Sequence, residues 1–82
     1  MVRVRLFAWF REKAKRDTIV LNPGRYTTVG EVLEQIKNEI PELRDALKEN
    51  NYFVAVNHEA AEKNTEVKDS DEIAIFPPVS GG

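Results

Sequence analysis

TVGEVLEQIKNEI, residues 28–40, has the clearest helical pattern in the chain and decides its fold class. Thr28 stands at the N-cap position and Glu31 follows three residues later, which is the spacing of a capping box. The apolar residues then recur at intervals that place them on one helix face: Val29, Val32, Leu33, Ile36 and Ile40. Because such a stripe must be buried against another element, the flanking segments have to supply a sheet or further helices.

Two strands are predicted before this helix. Residues 1–9 alternate with the period of a strand, and the alternation divides them between two faces: Val2, Val4, Leu6 and Ala8 against Arg3, Arg5, Phe7 and Trp9. Residues 11–16 are predicted to form a short helical turn or loop, and residues 17–21 a second strand. Asn22-Pro23-Gly24 predicts a turn, since Pro presets φ and Gly accepts positive φ.

The segments after the main helix predict a short helix and three more strands. The helix covers residues 42–49 and follows Pro41, and the strands cover residues 52–56, 65–67 and 72–76. Turns are expected at residues 57–59, where His58 is read as an exposed turn residue, and at residues 69–71. These elements predict an α+β fold, a small sheet with one face covered by the main helix. We expect these residues in the core: Leu6, Phe10, Val20, Leu33, Ile36, Tyr52, Phe53, Val54 and Ile73.

Composition excludes several classes of function. The chain has 82 residues, 41% hydrophobic and 32% charged, which is typical of one small globular domain. It has no cysteine and one histidine, so disulfides, thiolate nucleophiles and Cys- or His-based metal sites are not expected. We predict a protein that is not an enzyme by itself and binds no metal or cofactor. Without an apolar run of about 20 residues or an apolar leader, it is expected to be cytoplasmic and to have no membrane partner.

The C-terminal residues form a different kind of segment. We expect a domain over residues 1–76 and a flexible tail over residues 77–82, made of Pro77, Pro78, Val79, Ser80, Gly81 and Gly82. Six extended residues reach about 20 Å from the domain. Two residues without side chains let the backbone enter a narrow channel in a partner. The tail would thus present the Gly82 carboxylate, which becomes a good electrophile once ATP has adenylated it.

The chain resembles the MoaD-type sulfur carriers, which are the small subunits of molybdopterin synthase, and the ubiquitin-like small archaeal modifier proteins. The resemblance rests mainly on the ending DEIAIFPPVSGG, residues 71–82. It is supported by VRVRLFA at residues 2–8 with Arg11-Glu12, by Thr28-Val29 and by VAVN at residues 54–57. The resemblance implies a ubiquitin-like β-grasp fold, in which a mixed sheet of four to five strands packs on one main helix.

The same resemblance implies how the protein works. An E1-like (MoeB-type) enzyme would adenylate Gly82 with ATP and Mg²⁺, and the acyl group would become a thiocarboxylate. The sulfur would pass to the pterin precursor on a large, MoaE-type subunit to form molybdopterin. Phe7 and Phe76 would lie on the face that meets partners, and Trp9 is placed there because it shares the outer phase of the first strand.

Three alternatives remain open. As a protein modifier, the chain would form isopeptide bonds from Gly82 to target lysines, or to one of its own: Lys13, Lys15, Lys37, Lys48, Lys63 and Lys68. It could also be a carrier for thiamin synthesis or tRNA thiolation. Nucleic-acid binding is the third alternative, because the first sixteen residues hold six basic groups against Glu12 alone. The net charge of −2 argues against it, so no nucleic-acid partner is expected.

Overall fold

A computed structural model of the chain describes residues 1–22, 24, 27–48 and 52–77. Within these residues, none of the helices combines the length and the apolar content that crossing a bilayer requires. The elements follow in this order: β1 (Val2–Leu6), α1 (Ala8–Ala14), β2 (Thr18–Leu21), β3 (Thr27–Thr28), α2 (Val29–Glu39), a 3₁₀ turn (Pro41–Leu43), α3 (Arg44–Lys48), β4 (Phe53–Val56), β5 (Glu59–Ala60), β6 (Glu66–Val67) and β7 (Glu72–Phe76).

Five strands form a mixed sheet in the order β2-β1-β7-β4-β5. The two central strands, β1 and β7, run parallel, with Val4 opposite Ile73 and Leu6 opposite Ile75. Every other pairing in this sheet is antiparallel. The short strands β3 and β6 pair with each other in a separate two-stranded sheet. The prediction of an α+β fold with a mixed sheet is confirmed.

Helix α2 supplies the other half of the core, as its sequence pattern predicts. The Thr28 hydroxyl accepts a hydrogen bond from the Glu31 backbone N–H at 3.3 Å, so the N-cap is formed. The apolar stripe is buried together with one face of the central strands, and this cluster includes Val2, Val4, Leu6, Val32, Leu33, Ile36, Ile73 and Ile75. Burial of this stripe against the sheet holds the domain together, since a small domain has little other apolar surface to remove from water.

The first strand is shorter than its alternation predicts. β1 ends at Leu6 and α1 begins at Ala8, so Trp9 lies on a helix and not on the outer face of a strand. Ala8 has a φ of 53°, which turns the chain between the two elements. The physical reason is burial: Phe10 is fully buried, and Ala14 lies one helical turn further on the same side. In a strand, the side chains of Phe10 and Ala14 would point to the same face, but they would lie too far apart to pack into the same part of the core.

Val20 of β2 was expected in the core, and this prediction is wrong. Val20 is 55% exposed, whereas Ile19 and Leu21 are buried. The register with β1 explains this, because Ile19 lies opposite Val4 and Leu21 opposite Val2. Neighbouring residues on paired strands share a face, so the side chains beside Val2 and Val4 must point inward and Val20 outward.

Two aromatic residues near β4 were expected in the core, and Tyr52 lies there but Phe53 does not. Val54 packs partly buried against the core, as predicted, and Tyr52 lies there too, with its ring edge-on to Phe10 at 6.2 Å. Phe53 was expected in the core, but it is 55% exposed. It follows the strand period and therefore points away from the face that Tyr52 and Val54 occupy.

The sequence patterns do not predict all of the short elements. β3 and β5 have two residues each and were not predicted, because a two-residue strand shows no period. The predicted helix over residues 42–49 is a 3₁₀ turn followed by α3, and residue 49 lies outside the described part. The predicted edge strand at residues 65–67 is confirmed as β6, Glu66–Val67.

Asn57 and Asp71 tie the β4–β5 hairpin to the start of β7. The Asn57 side chain donates to the Asp71 carboxylate at 3.0 Å and accepts from the Glu72 backbone N–H at 3.0 Å. Asp71 also accepts from the Lys68 backbone N–H at 2.8 Å. Asn57 and His58 both have positive φ, as a two-residue hairpin turn requires. The backbone hydrogen bond from Lys68, followed by that from the Asn57 side chain, lowers the pKa of Asp71.

We predict that Leu33→Ala and Ile36→Ala each lower the free energy of unfolding by about 2–5 kcal/mol, since both side chains are buried in the core and their truncation leaves a cavity. The exposed Val20 provides the control, and Val20→Ala should change the free energy of unfolding by no more than about 0.5 kcal/mol. Urea denaturation measures all three. Equal, small effects at Leu33 and Val20 would contradict the assignment of the buried helix face.

A second prediction concerns pH. A carboxylate whose pKa is lowered by folding stabilises the fold above its unfolded pKa of about 3.9, and the contribution is lost as the pH falls through the folded pKa. Asp71→Asn should therefore destabilise the protein at pH 7, and its difference from the parent should shrink as the pH falls below about 4. Urea denaturation at both pH values measures this, with Glu12→Gln on α1 as an exposed-carboxylate control. A difference independent of pH would show that the ionised form of Asp71 is not what matters.

Candidate functional site

The end of β7 leads directly to the segment that carries the predicted chemistry. Phe76 is the last residue of β7, and Pro77, the first residue of the predicted tail, is partly buried beside it. Pro78, Val79, Ser80, Gly81 and Gly82 lie outside the described residues. The described part of the site is the surface around Phe76 and Pro77.

Phe7 and Phe76 meet on the sheet face opposite α2. Their ring centroids are 5.3 Å apart and the ring planes are inclined by 37°. The parallel pairing of β1 and β7 causes the contact, because it brings the C-terminal ends of both strands to the same end of the sheet. The Phe7 backbone N–H donates to the Ile75 carbonyl at 3.2 Å, which fixes Phe7 beside β7.

Arg5 adds a positive charge to this aromatic pair. Its guanidinium carbon lies 5.5 Å from the centroid of the Phe7 ring, within the range of a cation–π contact. Arg5 also pairs across the sheet with Ala74, whose small side chain leaves space over the centre of the sheet. A depression of about 210 Å³ results, lined by Arg5, Phe7, Ala55, His58, Glu72, Ala74 and Phe76. We call these residues the outer-face patch.

Phe53 extends this aromatic surface and was missed by the sequence analysis. It lies directly opposite Phe76 in the β4–β7 pairing and is 55% exposed. The signal was present in the sequence, because Phe53 is out of phase with the aliphatic residues of its strand just as Phe76 is. The outer face of the sheet thus carries three phenylalanines near one end, at positions 7, 53 and 76.

Trp9 was predicted to lie on this surface as a residue of the first strand, but it lies on helix α1. Its ring stacks on Phe10 with centroids 4.2 Å apart and planes inclined by 20°. It is partly buried against the core from helix α1. Of the three residues predicted for partner contact, the structure brings Phe7 and Phe76 together and assigns Trp9 to the packing of α1.

Groups suited to metal binding or to acid–base catalysis are sparse in the part of the chain that the structure describes. No cluster of three or more His, Asp or Glu side chains in that part is arranged to hold a metal ion. His58 is exposed in its turn, as predicted, and borders the outer-face patch. Burial raises the pKa of the Tyr52 phenol, whose hydroxyl is buried without a hydrogen-bond partner. What the surface offers chemically is an apolar contact area bordered by Arg5 and Glu72.

Comparison with known proteins gives the family. The model of the ThiS family matches residues 4–82, a range that includes the Gly-Gly ending. The molybdopterin synthase sulfur carrier subunit of Haemophilus influenzae is 35% identical over 82 residues, which cover 100% of both chains.

Solved structures agree with this match. The small archaeal modifier protein SAMP1 of Haloferax volcanii superposes with a TM-score of 0.89 at 31% identity and covers 99% of this chain and 98% of its own. A chain from the complex of subunits 1 and 2 of molybdopterin-converting factor of Helicobacter pylori gives a TM-score of 0.66 at 29% identity, covering 99% and 97%. The likeness extends over nearly the whole length of each chain, so the expectation of a ubiquitin-like β-grasp fold is confirmed. With the family match over residues 4–82, this protein belongs to the ThiS family.

Proposed function

We propose that this protein is a sulfur carrier for molybdopterin synthesis, with the Gly82 carboxyl group as the carrying group. The observation that supports this best is the full-length similarity to a molybdopterin synthase sulfur carrier subunit, together with a family match that continues to residue 82. The terminal residues are thus part of what the chain shares with its relatives. They carry no functional side chain other than the hydroxyl of Ser80, so the terminal carboxylate is the group available for chemistry.

The proposed chemistry has two steps. The Gly82 carboxylate attacks the α-phosphate of ATP and releases pyrophosphate, which gives an acyl-adenylate. Hydrosulfide then attacks the acyl carbon and expels AMP, and loss of a proton leaves a thiocarboxylate. ATP and Mg²⁺ belong to an E1-like, MoeB-type partner enzyme, so the carrier needs no cofactor and no catalytic residue of its own.

The outer-face patch is the proposed contact surface for the partners, namely the activating enzyme and a large, MoaE-type subunit. The Helicobacter pylori relative was solved as a complex of subunits 1 and 2, which supports a large-subunit partner. Exposed aromatic residues on a small protein are typical of an interface. Phe7 and Phe76 lie beside Pro77, so a partner bound to the patch would be close to the start of the tail.

Protein modification is the second candidate, and the similarity to SAMP1 favours it. The same acyl-adenylate would react with a lysine amine, expel AMP and form an isopeptide bond. If copies of this chain are targets, the exposed lysines are the better acceptors: Lys13, Lys15, Lys48, Lys63 and Lys68. Lys37 is a poorer acceptor, because it is partly buried and its ammonium is 2.9 Å from the Glu34 carboxylate.

Intact-mass analysis of protein from its own host separates the carrier role from the modifier role. Sulfur in place of one terminal oxygen supports the carrier, and attachment to foreign lysines supports the modifier.

We predict that deletion of Gly81 and Gly82 abolishes adenylation by the cognate activating enzyme, because the reacting carboxylate is then displaced toward the domain. Since these residues have no side chains to bury, the melting temperature should not change. ATP–pyrophosphate exchange and thermal unfolding are the two measurements. A fall of several degrees in melting temperature, or exchange at the parental rate, would contradict the proposal.

A final prediction for this function separates docking from chemistry. Phe76→Ala and Phe7→Ala should each weaken binding to the activating enzyme or the large subunit by more than about 1 kcal/mol, as truncation of aromatic anchors does. Gly82→Ala should bind normally but react about a hundredfold more slowly, because an added methyl misplaces the carboxylate.

Equilibrium binding and pyrophosphate exchange, run on each variant, give both quantities. Val20→Ala is the docking control, because Val20 is exposed on the same face but at the far edge strand. Lost binding with normal exchange at saturation for Gly82→Ala would show that the terminal residue contributes affinity and is not the reacting group.

A further inference from the structure

A groove of about 630 Å³ lies along β4 and adjoins the depression over the centre of the sheet, with which it shares Ala55, His58 and Phe76. We call it the edge groove, and its apolar lining includes Val29, Leu33, Phe53, Val54, Ala61 and Pro77. Phe76 borders it as well. Nothing in the proposed sulfur chemistry uses this groove.

The groove exists because β5 is short. β4 pairs with β7 over all four of its residues, but it pairs with β5 only at Ala55 and Val56. One further bond, from the Ala61 N–H to the Val54 carbonyl at 2.9 Å, ends the contact. The chain then leaves the sheet for α2, and the edge of β4 is open before Val54.

The opposite wall of the groove is held in place by the start of α2. The Gly30 backbone N–H donates to the Lys63 carbonyl at 2.8 Å, and the Val29 N–H donates to the Thr65 carbonyl at 2.9 Å. A side chain on Gly30 would stand 3.2 Å from that same carbonyl, so the approach is close. These bonds fix the segment after β5 away from β4, and the groove between them cannot close by simple collapse.

We propose that, in the free protein, this groove binds the chain's own tail, with Val79 as the side chain that enters it. Pro77 is the last described residue and is itself part of the groove wall, so the following residues begin at the groove. Adjacent strands lie about 4.8 Å apart, which puts the free side of β4 about 5–10 Å from β7. Val79 follows Pro77 by two residues and reaches about 7 Å when extended.

The tether favours the tail over other occupants. A short covalent linker gives an attached segment an effective concentration in the millimolar range. A free peptide or a second copy of the chain must be present at that concentration to compete. Val79 and Pro78 are also the apolar members of the segment after residue 77, and they match a predominantly apolar groove.

Amide chemical shifts of the ¹⁵N-labelled full chain test the docking. Val79→Asp should shift the signals of Val29, Leu33 and Ala61 and leave the distant Val20 unchanged. Ser80→Asp adds the same charge one residue later, where an extended segment points the side chain the other way, so it should leave the groove signals in place. If Val79→Asp shifts no groove signal, the proposal is wrong. If the groove signals of the parent shift with protein concentration, the occupant is a second copy and the proposal is also wrong.

A reciprocal experiment changes the groove and observes the tail. Phe53→Ser should raise the fast backbone mobility of Gly81 and Gly82 in ¹⁵N relaxation, whereas Val20→Ser should not. Phe53 and Val20 are both 55% exposed, so neither substitution should prevent folding. Equal tail mobility in the parent and in Phe53→Ser would overturn the proposal. Adenylation is measured separately on the parent chain, so a failure of docking is distinguishable from a failure of the proposed function.

Discussion

The parallel pairing of β1 with β7 is the constraint on which the rest of the structure depends. These strands lie side by side at the centre of the sheet, although almost the whole chain separates them in sequence. Parallel neighbours require a crossover, and α2 is the part of that crossover which covers one face of the sheet. The pairing also makes both strands end together, and this brings Phe7 to Phe76 and places the start of the tail beside them.

The proposed function separates recognition from reaction. The outer-face patch offers apolar surface and the Arg5 charge, while the proposed reacting group is the carboxylate of Gly82. An 82-residue domain has little interior in which to build a pocket that shifts pKa values, so a division of labour with partner proteins suits its size. The sequence relatives that are named as carrier subunits are consistent with this division.

The short strands determine where the surface is open. β5 covers only half of β4, and the hydrogen bonds of Gly30 and Val29 to residues 63 and 65 keep the following segment apart from it. The Asn57 and Asp71 side chains hold the hairpin in this position from the other end. The result is the edge groove, which Pro77 borders, and this groove is the proposed binding site of Val79.

The sequence by itself determined the elements with a strong period. The stripe of α2, the capping box at Thr28 and the last strand from Glu72 to Phe76 follow from local patterns, because each depends on residues a few positions apart. The out-of-phase position of Phe76 predicts its outward direction for the same reason.

Tertiary structure alone decided the features that depend on register and on competition for the core. The burial of Phe10 turns residues 8–14 into a helix, although the alternation continues through Trp9. Val20 points outward because Ile19 and Leu21 face Val4 and Val2 across the strand pair. The contact of Phe7 with Phe76, the exposure of Phe53 and the edge groove arise from pairings between distant segments. A local pattern states which residues share a face of one strand, but the partner strand decides which face is buried.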